Sequence, residues 1–390
     1  MILNNADNVM YGDKEVSRLY YGNYLVWQRD KIDYEWLVAP GTTYTSDWSV
    51  YGLNNPNKRN TVILPPTITA VAYPSTVAET KAVSEFSRAN GFDDVEHLII
   101  KANLKKIYNG AFYECTNLTS INIPDSVTDI GEDAFYKCTS LTSINIPDSV
   151  ICISDYTFYK CTNLTSITIG NSVTSIGVNA FSYCTSLANV TLGNSVTSIA
   201  DNAFYNCTNL ISINIPDSVT SIGYWAFEYC ESLTSINIPS NVTSIGKSTF
   251  FGCTNLTQIT ISDGVAIIGE HAFEDCTSLT SVNIPGSITN MGEYAFYGCT
   301  SLTQVTISDG VTSIGKGAFE NCTSLESVTI PDSVTSIGVH AFYSCTNLAH
   351  IYYTGTEDQW NAITKGTNWN YHMGSNITGG TQIHYNYVQE

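Results

Sequence analysis

The chain is short of positive charge. Its 390 residues include 16 lysines and arginines against 35 aspartates and glutamates, which gives a net charge of −19. Nucleic acids and anionic lipid surfaces are bound by clustered cations, so this composition argues against both as partners. Only 13% of the residues are charged and 43% are hydrophobic, which argues against a disordered chain. Residues 108–390 hold five lysines and 23 acidic residues, so we expect at least two regions of different character.

Sorting signals and long apolar runs are also missing. The first residues lack a basic stretch followed by an apolar one, so they predict no secretion signal. No run approaches the 18 or so apolar residues of a membrane-spanning helix. The last residues carry no wall-anchor or lipidation pattern. We therefore expect no membrane insertion and no ordinary secretion of this sequence.

Motifs for metal binding and catalysis are absent as well. No C-x-x-C pair occurs, the six histidines never stand four residues apart, and no G-x-S-x-G or H-E-x-x-H motif is present. We expect no cofactor, no metal site and no enzymatic activity. Adjacent carboxylates such as Glu132-Asp133 and Glu274-Asp275 are expected to be solvated, although a glycosidase pair stays open as an alternative.

What the sequence does contain is a repeat of 23 residues. Phenylalanine marks eleven successive registers without an insertion: Phe112, Phe135, Phe158, Phe181, Phe204, Phe227, Phe250, Phe273, Phe296, Phe319 and Phe342. In every register a cysteine follows three residues later, and a leucine follows three residues after the cysteine. Self-similarity at a fixed period of this length predicts a solenoid in which neighbouring turns share one core.

One unit, residues 118–140, illustrates the physical basis of the pattern. Ile121 and Ile123 alternate with polar residues, which predicts a short strand with one buried face. A proline-led turn follows, then Ile130 as part of a second apolar pair, and Phe135 on a return that we expect to form a short helical turn. Adjacent strands lie about 4.8 Å apart, so eleven units predict a parallel sheet about 50 Å long.

The unit resembles the leucine-rich repeats of the BspA-like family of bacterial surface proteins. The matching elements are an L-x-x-I-x-I-P strand, an S-V-T-x-I-G link and an A-F-x-x-C return, repeated from Val95 to Leu348. Residues 351–387 resemble the closing segment of such proteins. The resemblance implies a repeat solenoid, with a parallel β-sheet and short helical or irregular returns, that serves recognition or adhesion.

The N-terminal residues differ from the repeat. Within residues 9–27 the string from Glu15 to Trp27 is similar to the N-terminal module of phage and prophage structural proteins from gut bacteria; a generic hairpin around Gly22-Asn23 is the alternative. A capping-box pattern that begins at Thr76 predicts a helix ending near Gly91.

We expect the chain to be organised in four parts. The parts are a β-hairpin attachment module (1–30), a β-rich region with a capping helix (31–90), the solenoid (91–350) and a C-terminal cap (351–390).

The periodic cysteines are interpreted as an apolar column rather than as metal ligands or disulfides, and the off-register Cys152 is the thiol to test for reactivity.

An aspartate or asparagine in most turns is expected to serve the turn itself, with a weak calcium edge as the alternative.

Candidate contact residues lie in two places. The strand face carries serine, threonine, asparagine and glutamine, which suits neutral glycans or simply keeps the face soluble. Sequence diversity instead concentrates next to each periodic phenylalanine, where half-exposed aromatic residues are typical interface anchors. The candidates for ligand binding are Trp225, Tyr224, Tyr156 and Tyr294 at these positions, and His350 and Tyr352 at the end of the strand face. The alternative is that the tyrosines pack over the corners of neighbouring repeats.

The first functional hypothesis is a virion component, in a phage tail or fibre, that binds a host-surface glycan or protein. Residues 1–90 would then contact other virion proteins. The second hypothesis is a bacterial cell-surface adhesin of the BspA-like family, and an enzyme is a distant third.

Overall fold

The computed structural model describes residues 96–100 and 104–388 and seven short strands that precede them. Side chains are described for residues 96–388 apart from Ile99 and residues 101–103. The earliest strands form two antiparallel pairs, Val9–Tyr11 with Lys14–Val16 and Arg18–Tyr21 with Tyr24–Gln28.

The other described strands belong to a stack of repeating coils, and each coil adds one strand to each of two rows of parallel strands. Hydrogen-bonded pairing divides each row into three sections, and we refer to each row as one sheet.

The first sheet is built from the predicted L-x-x-I-x-I segments. Its strands pair in parallel, mostly with partners 23 residues apart, such as Ser143 with Ser166 and Ile144 with Ile167. Isoleucine or valine points inward at alternate positions while the polar residue between them is exposed, as in Ser143–Ile146. The strands are Thr61–Leu64, His97–Ile100, Ser120–Ile121, Ser143–Ile146, Ser166–Ile169, Asn189–Thr191, Ser212–Ile213, Ser235–Ile238, Gln258–Ile261, Ser281–Ile284, Gln304–Ile307, Ser327–Ile330, His350–Tyr353 and Gln382–His384.

A second parallel sheet runs along the links, where the sequence predicted only an apolar pair. Each link contributes a short strand whose second residue is generally buried, and Asp129 pairs with Lys106 one coil earlier. The strands are Ala70–Ala72, Val83–Ser84, Lys106–Ile107, Asp129–Ile130, Cys152–Ile153, Ser175–Ile176, Ser198–Ile199, Ser221–Ile222, Ser244–Ile245, Ile267–Ile268, Asn290–Met291, Ser313–Ile314, Ser336–Ile337 and Thr364–Lys365.

The returns are consecutive turns, so the expectation of a short helical turn is wrong. The amide of Phe135 donates to the carbonyl of Thr157 at 2.8 Å, and the amide of Lys137 donates to that of Tyr159 at 2.7 Å. Alternate amides of the return therefore bond to the next coil, whereas the amides between them, such as that of Tyr136, donate to a carbonyl three residues back. Asp133 and Lys137 have φ of 55° and 53°, and such left-handed residues cannot continue a right-handed helix.

The core consists of stacked columns of identical side chains. The periodic phenylalanine rings are buried, and their centroids follow one another at 5.1 Å from Phe112 to Phe135 and at 5.4 Å from Phe319 to Phe342. The cysteine column is a buried apolar column, as predicted, and its thiols also donate hydrogen bonds: Cys138 Sγ reaches the carbonyl of Phe112 at 3.1 Å. Each coil is thus completed by its neighbour, as in other solenoids.

The N-terminal end of the solenoid begins earlier than residue 91. Thr61–Leu64 pairs in parallel with His97–Ile100 and extends the first sheet. The helix predicted from Thr76 to Gly91 is wrong at Val83–Ser84, which forms a strand paired with Ala70–Ala72. A neighbouring strand edge with unpaired backbone groups outweighs the local helix signal there. The other residues of that predicted helix lie outside the described part of the chain.

The C-terminal segment adds a modified coil to each sheet. Between His350–Tyr353 and Thr364–Lys365 lies a helix, α1 (Glu357–Ala362), with a capping box formed by Thr356 and Gln359. Trp360 and Ile363 are buried against the last repeat. The segment therefore covers apolar surface that the last repeat would otherwise expose.

Candidate functional site

The two residues before each Ala-Phe pair (Thr-Phe in two coils), and the two residues after it, lie on one edge of the solenoid, which we call the corner face. The residue two positions before the phenylalanine adopts a left-handed backbone in every coil from Asp133 to His340, with φ between 50° and 58°. This left-handed column consists of Asp133, Tyr156, Asn179, Asn202, Trp225, Ser248, His271, Tyr294, Gly317 and His340. These residues share one backbone conformation, but their side chains differ.

Bonds between coils hold this backbone in place. The amide of Trp225 donates to the carbonyl of Lys247 in the next coil at 3.0 Å. A left-handed conformation costs an L-residue roughly 1–2 kcal/mol, and bulky residues rarely adopt it. The solenoid therefore holds tyrosine, tryptophan and histidine at these positions in a backbone conformation that is unfavourable for them.

Tyr224 and Trp225 form an aromatic pair on the corner face. Their rings meet edge to face with centroids 5.8 Å apart, and 51% of the Tyr224 surface is exposed. The Tyr224 amide donates to Asp201 Oδ1 at 2.7 Å. A Cβ on Gly246 would lie 2.7 Å from Cδ1 of Tyr224, so the ring rests against a position that only glycine leaves open.

Tyr156 and Tyr294 share the left-handed column with Trp225 but belong to other coils. Each lies three coils from Trp225, a distance of about 14 Å at the usual strand spacing. Tyr156 meets Tyr159 edge to face at 5.7 Å. Tyr294 stacks on His271 with centroids 5.3 Å apart. The four corner candidates therefore follow one line without forming one pocket.

His350 and Tyr352 lie on the strand face, away from the corner face. His350 Nδ1 is 3.1 Å from Nε2 of His384, and the ring of Tyr352 stacks on His384 with centroids 5.0 Å apart. Tyr387 meets Tyr352 at 4.7 Å. His384 and Tyr387 were missed as site residues, although the alternation of residues 382–387 could have signalled a further strand. The six candidates thus separate into a corner group and a strand-face cluster.

Many corner tyrosines contact each other, as the packing alternative predicted. Seven rings form a continuous series with centroid distances between 4.6 and 6.0 Å: Tyr113, Tyr136, Tyr159, Tyr183, Tyr205, Tyr229 and Phe251. Where the position after the phenylalanine is Ser182 or Glu228, the following residue supplies the ring instead. The sequence analysis did not identify this exchange between neighbouring positions, so it missed the continuity of the series.

Carboxylates at the corner face are partly desolvated. Burial raises the pKa of Glu228 to about 7, and burial also raises the pKa of Glu274 and Glu320. Glu274 is bonded to His271, whereas Oε2 of Glu320 is buried without a hydrogen-bond partner in the described structure. These groups favour cationic or hydrogen-bond-donating ligands over anions.

The lysines of residues 108–388 are engaged with neighbouring groups. Lys137 pairs with Glu114 at 2.8 Å, and Lys247 pairs with Glu270 at 2.7 Å. Lys160 lies over two tyrosine rings, and Lys316 lies over a ring and beside a carboxylate. Lys365 donates to backbone carbonyls and lies over Trp360.

Two side chains of the turn column bond to the backbone of the next coil. Asp148 Oδ1 accepts from the amide of Asn171 at 2.6 Å, and Asn171 Oδ1 accepts from the amide of Asn194 at 3.4 Å. Among the described residues, no group of three or more histidine, cysteine, aspartate or glutamate side chains could hold a metal ion. Nor does any described helix have the length and apolar character needed to cross a membrane.

The two parallel sheets, the buried Phe, Cys and Leu columns and the 23-residue period define a leucine-rich repeat solenoid. The chain belongs to the family described as BspA type leucine-rich repeat region, whose model matches residues 89–200, 152–277 and 245–363. The resemblance predicted for the repeat array is confirmed. The likeness of residues 9–27 to phage structural proteins stays a prediction.

Two solved structures of bacterial leucine-rich repeat proteins are similar over most of the chain. A leucine-rich cell surface protein from Faecalibacterium prausnitzii A2-165 shares 29% identity, with 90% of this chain and 89% of that chain covered and a TM-score of 0.39. A leucine-rich repeat protein from Bacteroides ovatus shares 28% identity over 81% of this chain and 92% of its own, with a TM-score of 0.39.

The pneumococcal vaccine antigen PcpA has the same fold at 17% identity, with 96% of this chain and 88% of that chain covered and a TM-score of 0.50. No curated protein sequence matches the chain.

Proposed function

We propose that this protein is a non-catalytic recognition and adhesion protein whose corner face binds a glycan or protein on a host surface. The observation that carries the proposal is the left-handed column. Tyr156, Trp225, His271, Tyr294 and His340 vary in chemistry on a backbone that is otherwise the same in each coil. Strained backbone that presents partly exposed aromatic groups is typical of binding surfaces.

The solenoid is suited to display such groups. Its core columns fix the position of each coil, so a side chain of the column can change without disturbing the fold. Aromatic residues supply large contact areas at little entropic cost, and Trp and Tyr dominate binding energy at interfaces. Tyr224 and Trp225 supply two such rings at adjacent positions, 5.8 Å apart.

Such a protein would be carried either by a bacterial cell surface or by a phage virion, and we call these the two carriers. Membership in the BspA type repeat family supports a bacterial cell-surface adhesin. The string within residues 9–27 supports a phage virion component, with residues 1–90 in contact with other virion proteins. The family supports the cell-surface carrier at least as well as the short string supports the virion.

Substitution at the aromatic pair tests the recognition role. Fluorescently labelled protein is incubated with candidate bacterial and host cells, and bound label is measured by flow cytometry. On whichever surface binds, Trp225→Ala should lower bound label at least tenfold, because truncating a central interface aromatic costs about 2 kcal/mol or more. Asn202→Ala is the matched control, since Asn202 occupies the same column one coil earlier. Equal binding by wild type and Trp225→Ala would exclude the corner face.

A second experiment separates the carriers. Mass spectrometry of purified particles and of a cell-surface fraction detects the protein in one or the other. Deletion of residues 1–30, rather than of 1–90, leaves the strands at 61–84 that extend the solenoid sheets. If the protein is a virion component, the deletion variant should no longer be incorporated into particles. The melting temperature of its solenoid should equal that of the wild type. Undiminished incorporation would contradict an attachment role for residues 1–30.

A further inference from the structure

Two ring pairs of the corner face have nearly the same geometry but different residues between them. Tyr159 and Tyr183 meet edge to face with centroids 5.7 Å apart at 77°, and Tyr205 and Tyr229 meet at 6.0 Å and 79°. The two pairs are related by two coils of the repeat. The first pair is therefore a reference for what the second can bind.

The first ring pair holds an ammonium group from the chain itself. Lys160 Nζ lies 5.3 Å from the ring centroid of Tyr159 and 5.1 Å from that of Tyr183. These distances are within the range of cation–π attraction. No carboxylate of the described residues lies within ion-pair distance of Lys160, so the two rings are its main partners.

The second ring pair has asparagine where the first has lysine. Asn206 occupies the position of Lys160, with the same left-handed backbone, φ 57° in both. Its side chain ends two carbons short of where a lysine would carry its ammonium group. The space between Tyr205 and Tyr229 that corresponds to the Lys160 ammonium is therefore not filled by the chain's own cation.

A carboxylate adjoins the second pair and is missing from the first. Glu228 stands where the first pair has Ser182. Among the described residues its carboxylate has neither an ion pair nor a hydrogen bond, and burial raises its pKa to about 7. A half-buried carboxylate without a partner is unfavourable when ionised, and a cation beside it would remove that cost.

We propose that Tyr205, Tyr229, Asn206 and Glu228 form a binding site for the ammonium group of a lysine side chain from a partner protein. We call it the ammonium site. The two rings would face the cation as they do around Lys160, and Glu228 would supply the counter-charge. This assignment rests on the proposed recognition function and gives the ligand chemistry for one coil of the corner face.

The chain uses the same chemistry internally at two other positions. Lys137 lies 5.1 Å from the ring centroid of Tyr136 and pairs with Glu114. Lys316 lies 5.0 Å from the ring centroid of Tyr294, and Glu293 is 3.3 Å from it. A tyrosine ring with a glutamate beside it is thus an arrangement that binds ammonium groups on this surface.

Charge complementarity favours a lysine over a neutral or anionic partner group. Residues 108–390 hold 23 acidic residues and five lysines, so the field around the site attracts cations. A single ammonium group makes few contacts, and we expect a dissociation constant in the millimolar range for an isolated lysine. Tighter binding by a partner protein would need further contacts along the corner face.

The test is a titration of the full chain with Nα-acetyl-lysine methylamide, followed by the ring signals of isotope-labelled tyrosines. Tyr205 and Tyr229 should shift in a saturable manner at pH 8, where Glu228 is ionised. The norleucine analogue, which lacks the ammonium group, should produce no saturable shift. Equal binding of both probes would overturn the proposal.

The pH dependence adds a readout that a merely apolar site would not give. At pH 5.5 Glu228 is mostly protonated, so affinity for the lysine probe should fall at least fivefold. The groups facing Glu228 stay neutral over this range, because burial raises the pKa of Tyr205 to about 12 and also raises those of Tyr229 and Cys253. Glu274 and Asp275 act on Tyr229 from the next coil, so Glu274→Gln serves as a background for the same titration. Equal affinity at both pH values would overturn the role of Glu228.

Two variants test the site directly. Asn206→Lys should place the chain's own ammonium between the rings and abolish probe binding, and Glu228→Gln should weaken it at least fivefold. Lys160→Asn, the matched control, should leave the shifts of Tyr205 and Tyr229 unchanged. A cooperative melting transition well above the temperature of the titration confirms that each variant is folded. Full probe binding by Asn206→Lys would overturn the proposal.

The same spectra identify other occupants and keep this site distinct from the wider function. Broadening of these ring signals with rising protein concentration, without probe, would assign the site to a second copy of the chain and overturn the partner assignment. The titration uses only purified chain and a small probe. Its failure is therefore distinguishable from failure of surface binding, which Trp225→Ala measures.

Discussion

The ring of Trp369 meets Phe342 edge to face with centroids 6.3 Å apart, at the point where a series of eleven parallel phenylalanine rings ends. The carbonyl of Trp369 also accepts the amide of Phe342 at 2.7 Å, as the next coil would. Trp360 in turn meets Trp369 edge to face at 6.1 Å. Trp369 thus ends the stack by meeting the last phenylalanine ring edge-on, and Trp360 packs against Trp369.

We expect Trp360→Ala to destabilise this end of the solenoid. Trp360 is 4% exposed and meets Tyr353 with centroids 5.2 Å apart. Removing a buried tryptophan costs about 3–5 kcal/mol. Because coils contact mainly their neighbours, amide exchange should accelerate near residues 319–353 and stay unchanged near 118–140. Uniform acceleration along the array would contradict a local cap.

The exposed Tyr371 provides the control for this variant. It is 50% exposed and stacks on Tyr343 at 5.4 Å. Tyr371→Ala removes a ring from the same segment without opening the core, so its effect on the melting temperature should be much smaller than that of Trp360→Ala.

The parts of the fold that the sequence predicts well are those with a strict period. The Phe, Cys and Leu columns and the alternating strands follow directly, because identical residues 23 apart must stack. The second sheet was not predicted, since strands as short as Asp129–Ile130 have no periodicity of their own. The left-handed column was not predicted because bonds to the next coil impose it, and its residue types do not.

The sequence predicts only part of the candidate site, because some of its residues come together only when the coils stack. Trp225 and Tyr224 stand out from a repetitive background, so sequence alone finds them. Glu228 does not, because its environment depends on rings that come from different positions of neighbouring coils. Only the stacking of coils brings these residues together.

Thiol reactivity should distinguish Cys152 from the periodic cysteines. Cys152 lies partly exposed in the second sheet, whereas burial raises the pKa of Cys207 and Cys230 well above that of a free thiol. The thiolate is the reactive form, so a buried thiol with a raised pKa reacts slowly. Maleimide labelling of the folded protein, read by peptide mass spectrometry, should modify Cys152 before Cys207. Cys152→Ser should lose that early modification. Faster labelling of Cys207 would contradict the assignment.

Gly317 and Tyr294 should be energetically coupled. A Cβ at Gly317 would lie 2.4 Å from Cδ1 of the Tyr294 ring, too close for either to remain in place. The left-handed backbone costs an alanine at this position roughly 1–2 kcal/mol, and the clash with the ring adds to that cost. Gly317→Ala should lower the free energy of unfolding by about 2–4 kcal/mol in total.

The double variant tests whether the ring is the cause. In a Tyr294→Ala background the alanine at position 317 meets no ring, so its cost should fall to that of the left-handed backbone alone, about 1–2 kcal/mol. Urea unfolding of the four proteins in this cycle gives the coupling energy. Equal costs of Gly317→Ala in both backgrounds would show that the ring is not responsible.

Glu228→Gln should stabilise the protein at alkaline pH and not at acidic pH. Burial raises the folded-state pKa of Glu228 from 4.5 to about 7. Between these values the folded state keeps a proton that the unfolded state releases, so ionisation of Glu228 lowers the free energy of unfolding as pH rises from 4.5 to 7. Glutamine does not ionise, so the variant does not lose unfolding free energy at this position as the pH rises.

The comparison of wild type with Glu228→Gln isolates this group, because the other titrating residues are common to both. Urea unfolding at pH 8 should give the variant an advantage of about 1–2 kcal/mol over its advantage at pH 4.5, after allowance for solvent screening of a half-buried carboxylate. Glu231→Gln, which removes an exposed glutamate three residues away, should show no such difference between the two pH values. A constant difference between wild type and Glu228→Gln from pH 4.5 to 8 would mean that Glu228 ionises as freely as an exposed glutamate.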